Sequence, residues 1–151
     1  MAKAYEEREI RLALEWAALS YPGARVISRY RILTGPLPVV PGFAPFQVAQ
    51  LLKPTGLMAD LVIPLGKSTV VVEAKTDNET QAIGQLLYYV FLMKRYPELQ
   101  EVPVDQVEPV ILLARRIPDI VDFAKQYGVT VALYSPGWIQ DFLRTGYSGV
   151  A

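Results

Sequence analysis

The stretch from Met58 to Lys75 constrains the fold of this chain more than any other. Two β-rich apolar runs, Met58 to Leu65 and Thr69 to Lys75, flank Gly66-Lys67-Ser68, and that turn chemistry predicts a β-hairpin. If Gly66 and Lys67 form the loop, Leu65 pairs with Ser68, and counting back along both strands sets Asp60 directly opposite Glu73. Opposed side chains in a sheet have Cβ atoms roughly 4.5 to 5.5 Å apart, and like charges at that distance destabilise the pair unless something cancels them. A divalent cation would do so. Strand alternation carries Lys75 to the same face and the same end as Glu73. An ion pair of Lys75 with Glu73 or Asp60 at a sheet rim is the purely structural reading of the same three residues.

The rest of the hairpin (Leu61, Val62, Ile63, Val70, Val71, Val72) is apolar on both faces, as expected for strands covered on both sides. The charged cluster is therefore an exception inside a core element. Composition narrows its chemistry. The 151 residues are 52% hydrophobic and 20% charged, which predicts one globular domain without a compositional case for disorder. There is no cysteine and no histidine. Thiolate chemistry is excluded, and so are the commonest general base and transition-metal ligand. Carboxylates, lysine, tyrosine or a metal held by oxygen remain, which favours Mg²⁺ or Mn²⁺ over zinc.

Asp60, followed after twelve residues by Glu73-Ala74-Lys75, resembles the PD-(D/E)XK nuclease superfamily; the proline of that name is here Ala59. The resemblance implies a restriction-endonuclease-like α/β core in the order α-β-β-β-α-β, a mixed central sheet flanked by helices. It further implies a metal held by Asp60, Glu73 and the carbonyl of Ala74, with Lys75 catalytic. Glu7-Arg8-Glu9-Ile10 is similar to the start of archaeal Holliday-junction resolvases, which would make Glu7 a further metal-site acid. Gln85-Leu86-Leu87-Tyr88-Tyr89 resembles the Gln-x-x-x-Tyr motif of RecB-type members, implying Gln85 in the active site and Tyr89 on nucleic acid.

Along the chain, Lys3 to about Ser20 predicts a helix stopped by Tyr21-Pro22-Gly23, with Ile10, Ala13, Leu14, Ala17 and Ala18 packing and Glu6, Glu7, Glu9 and Glu15 mostly solvated. Arg25 to Leu33 predicts a strand. Strict alternation puts Arg25, Ile27, Arg29 and Arg31 on one face, where the arginines could contact phosphates or guard an exposed edge. Thr34 to Gly56 is rich in proline and glycine, with a helical turn expected over Phe46 to Leu52. A second helix is expected from Asp77 to Tyr96, capped by Asn78 with Gln81, burying Ile83, Leu86, Leu87, Val90 and Phe91. Strand Gln106 to Ala114, helix Pro118 to Tyr127, strand Val129 to Tyr134 and helix Pro136 to Arg144 follow, a series that suggests parallel crossovers. The last three elements add an α-β-α unit to the core.

These features predict a Mg²⁺- or Mn²⁺-dependent nuclease acting on DNA in preference to RNA. A non-catalytic nucleic-acid-binding or assembly subunit on the same fold is the alternative. A carboxylate-metal hydrolase of small phosphates would bind metal without affinity for DNA. The formal net charge is zero, so any attraction for nucleic acid must be local. The longest nearly apolar run, Ala82 to Met93, is short of the roughly 20 residues a membrane span needs, and the charged first residues do not resemble a signal peptide. A soluble cytoplasmic protein is expected, with the loop around Phe43 and Phe46 and the last helix as candidate contacts for a homodimer or another partner. Twelve prolines, no cysteine and Asn78 as the sole asparagine suggest a thermophilic source.

Overall fold

The structure is a computed structural model that describes residues 2–35, 39–45, 47–48, 57–76 and 81–145, leaving aside the side chains of 2–6. Its elements follow the sequence periodicity closely. They are helix α1 (Ala2–Ser20), strands β1 (Ile27–Arg31), β2 (Met58–Leu65) and β3 (Ser68–Lys75), and helix α2 (Gln81–Arg95). After a 3₁₀ turn at Pro97–Leu99 come β4 (Gln106–Leu113), α3 (Pro118–Gln126), β5 (Thr130–Leu133) and α4 (Gly137–Thr145). The five strands form one sheet in the order β1-β2-β3-β4-β5. The β1–β2 and β2–β3 pairs are antiparallel, whereas β3–β4 and β4–β5 are parallel.

The hairpin has the expected register. Leu65 pairs with Ser68, and the ladder runs back to Leu61 opposite Val72. Gly66 has φ 65°, the left-handed conformation that glycine adopts without a steric penalty at the first loop position. Both prolines inside strands lie where the sheet has stopped on one side. β1 pairs reach only Val62 of β2, short of Pro64, and β5 pairs begin at Val110 of β4, just past Pro109.

Apolar residues on both sheet faces require two covering layers. On one face Val62, Val71, Ile111 and Leu113 pack against Ile83, Leu86 and Met93 of α2 and Ile120 and Ala124 of α3. On the other, Leu61, Ile63, Val70, Val72, Val110 and Leu112 pack against Leu12, Ala13 and Ala17 of α1 and Ile139 of α4. The crossovers β3-α2-β4 and β4-α3-β5 advance across the sheet in the same direction, so one handedness puts both helices on one face.

Three packing expectations change. In α1 the buried stripe is Leu12, Ala13 and Ala17, and Leu14 is exposed. In α2 Phe91 is exposed and Tyr89 is buried instead. In β1, Ile27 and Tyr30 pack on the same side although strict alternation separates them. Arg29 absorbs the odd residue with φ 51°, and the β1–β2 register skips the Arg29–Asp60 position between Ser28↔Leu61 and Tyr30↔Ala59. The expected cap at Asn78, most of the helical turn over Phe46 to Leu52, and the chain after Thr145 lie outside the described residues.

Candidate active site

β2 slips phase at the same point. Ala59 packs on the α2 side, yet Leu61, two residues on, packs on the α1 side. Asp60 sits at the slip. Its Oδ2 accepts a 2.8 Å hydrogen bond from the amide of Ala74, and its own amide lies 3.3 Å from Glu73 Oε1. The acid pair inferred from the hairpin count is therefore brought together at the C-terminal end of β3.

Lys75 completes the cluster. Its Nζ lies 3.9 Å from Glu73 Oε2 and 3.7 Å from Glu9 Oε2, and the amide of Thr76 is 3.4 Å from Glu9 Oε1. The α1 acid that reaches the cluster is thus Glu9, while Glu7 is exposed. Two positions along a helix rotate a side chain by about 200°, so only one of the two acids can face the sheet. Glu9 stood among the acids expected to be solvated; what identifies it is its phase relative to the buried Leu12, Ala13 and Ala17. Thr76, next to Lys75, is also buried and carried no sequence signal.

Glu73 is 4% exposed. Burial, then the neighbouring Asp60 charge, push its carboxyl up to about 8, with Lys75 opposing the shift. The carboxyl groups of Glu73 and Glu9 stand within 4 Å of the ammonium and Asp60 lies beside Glu73, so the side chains that could hold an ion offer oxygen ligands. That set fits a hard divalent cation. Among the described residues no three carboxylates converge on one point that could hold a metal. Mg²⁺ does not require this, because it commonly takes one or two carboxylates and fills its octahedron with water and phosphate oxygens.

The other expected residues divide. Tyr89 is buried, and its hydroxyl donates to the Met58 carbonyl at 3.3 Å. Burial, followed by the Glu73 and Asp60 charges, raises its phenol to about 12. It therefore backs the cluster from within the core, and its exposed neighbour is Tyr88. Gln85 is exposed on α2, and no hydrogen bond joins it to the cluster among the described residues. Arg25, Arg29 and Arg31 are all exposed, in or just before β1 at the sheet edge. Away from the cluster, Glu15 accepts from Trp138 Nε1 at 2.8 Å, Arg11 Nε at 3.0 Å and the Tyr134 hydroxyl at 3.3 Å, fastening α4 to α1.

The fold is thus α/β, a mixed five-stranded sheet between helix layers, and the acid-lysine cluster stands at the end of its central hairpin. The structure is similar to a repair endonuclease from Pyrococcus abyssi, with TM-score 0.53 and 16% identity over 86% of this chain and 47% of that one. It is also similar to EndoMS in a complex with double-stranded DNA, with TM-score 0.51 and 15% identity over 83% of this chain and 44% of that one. The chain thus spans a little under half the length of each. No protein-family model and no curated protein sequence matches it. No helix among the described residues is long and apolar enough to cross a membrane.

Proposed function

We propose that this chain is a metal-dependent nuclease of the PD-(D/E)XK type, cutting DNA in preference to RNA. The observation that carries the reading is the series of contacts that joins two strands and a helix, Asp60 to Glu73, and Glu73 and Glu9 in turn to Lys75. Likeness in fold to a repair endonuclease and to EndoMS in complex with double-stranded DNA supports it.

In this reading Asp60 and Glu73 hold Mg²⁺ or Mn²⁺, with the Ala74 carbonyl as the resemblance implies. The bound ion supplies charge against the scissile phosphate and acidity to a water, in a chain with no histidine to activate one. The Ala74 amide fixes one oxygen of Asp60, so the carboxylate enters the reaction already oriented. Lys75 sets its ammonium against the charge that grows on the phosphate oxygens. Glu9 holds that ammonium from the helix side, opposite the contact it makes with Glu73 from its own strand.

The test is cleavage of supercoiled plasmid and of single-stranded DNA with Mg²⁺ or Mn²⁺, by wild type, Asp60→Ala and Lys75→Ala. Metal-dependent cutting that both substitutions abolish in folded protein supports the nuclease. Absence of cutting on every substrate, or equal cutting by all three proteins, overturns it. A second reading, a binding or assembly subunit without catalysis, draws on the lack of a three-carboxylate group among the described residues.

A further inference from the structure

α2 has two dissimilar faces. The inner one packs Ile83, Leu86, Tyr89 and Met93 against the sheet. The outer one carries Tyr88 and Phe91, 50% and 54% exposed, followed by Lys94 and Arg95. A helix face normally sheds large rings into the core and keeps charges outside, so two half-exposed aromatic rings require an explanation. Their geometry supplies one. The two rings lie nearly parallel, 12° apart in plane with centroids separated by 6.5 Å. The Arg95 guanidinium stands 5.9 Å from the Phe91 ring and 5.7 Å from the Tyr96 ring, so planar groups succeed one another along the end of the helix.

Charge points the same way. From Gln81 to Arg95 the helix contains no acid, and its last turn holds Lys94 and Arg95; the next acid is Glu98. Another exposed aromatic pair among the described residues, Phe123 on α3 and Tyr127 just past its end, lacks these properties. Those rings meet edge to face at 65°, and their helix carries Asp119 and Asp122. α2 also adjoins the acid cluster directly, because Tyr89 reaches the Met58 carbonyl two residues from Asp60.

We propose that Tyr88, Phe91 and Arg95 form a stacking track for an unpaired nucleic-acid strand along the outer face of α2. The inference deepens the nuclease reading and rests on it for its biological sense. In a duplex the base faces are already stacked, whereas unpaired bases offer them to aromatic rings. A neutral protein can hold such a strand because stacking does not depend on net charge.

Binding is read without divalent metal, in EDTA, by anisotropy of a fluorescein-labelled oligothymidylate and of a duplex of equal length. The wild type should bind the unpaired strand more tightly than the duplex. Tyr88→Ala and Phe91→Ala should each weaken strand binding about 5- to 100-fold. Tyr88→Phe and Phe91→Tyr should retain it. With only Lys94 and Arg95 engaging phosphates, log affinity should fall with log salt at a slope of about −1.4, and Arg95→Gln should reduce that slope by about 0.7. Because both rings are exposed, the alanine variants should melt like the wild type. No strand binding by the wild type, equal affinity for strand and duplex, or alanine variants that bind unchanged would overturn the proposal. So would variants that only shift a dimer to monomer, which would make the face a self-association surface. Failure of cleavage alone bears on the nuclease reading and leaves this measurement intact.

Discussion

Beyond the Leu61–Val72 pair, the carboxylate of Asp60 takes the Ala74 amide at 2.8 Å, doing there what a strand carbonyl does in the rest of the ladder. The bond ties the acid's orientation to the backbone of β3, one residue from Glu73 and one from Lys75.

Asp60→Asn keeps an oxygen acceptor for the Ala74 amide, and Asp60→Ala does not. Both remove the charge facing Glu73, so their difference isolates the hydrogen bond. Urea denaturation should find the alanine variant less stable than the asparagine variant by about 1 to 3 kcal/mol. Equal midpoints and slopes would mean that the bond contributes nothing.

Glu73 makes the metal-free protein sensitive to pH. Its folded carboxyl titrates near 8, above its usual range, so between those limits the folded state holds a proton that the unfolded state has released. Stability should therefore be greatest near pH 5 and fall as pH rises towards 8. Each kcal/mol lost lowers Tm by about 2 to 4 °C. In chelator, Glu73→Gln should flatten this part of the Tm profile, and an unchanged slope would place its origin elsewhere.

Glu9 and Glu7 should separate in function. Glu9→Gln removes the partner that holds Lys75 from α1, and cleavage should drop about 10- to 100-fold, as for groups that orient a metal site from behind. Glu7→Gln alters an exposed side chain and should stay within about twofold. Initial rates on one plasmid substrate decide it; the reverse ranking would return the role to Glu7.

Arg29 tests whether the strand slip matters. Its φ of 51° suits glycine and is hostile to a β-branched residue. Arg29→Gly should fall within about 1 kcal/mol of the wild type, while Arg29→Val should be about 1 to 3 kcal/mol less stable. If the slip is what aims Asp60, the valine variant should also lose more cleavage than the glycine variant at a temperature where both are folded.

Most of the architecture was legible in the chain, because hairpin register and helix boundaries follow from local rules. Gly66 in the loop set Leu65 against Ser68, and that count alone paired Asp60 with Glu73. The strand-helix-strand series after Lys75 likewise implied the parallel half of the sheet. What the sequence could not determine was helix phase and strand slip, which depend on what each element packs against. Glu7 and Glu9 are equivalent until α1 seats Leu12, Ala13 and Ala17 on the sheet, which turns Glu9 inward to Lys75. Tyr88, Tyr89 and Phe91 are three aromatics in one apolar run until α2 docks; then Tyr89 alone is buried and the other two face outward. Alternation through β1 fails at Arg29 because a pleat can be broken by one residue without any compositional trace. Local pattern determined which acids share a strand end; only the packing of α1 and α2 on opposite faces of that sheet decided which neighbours close around them.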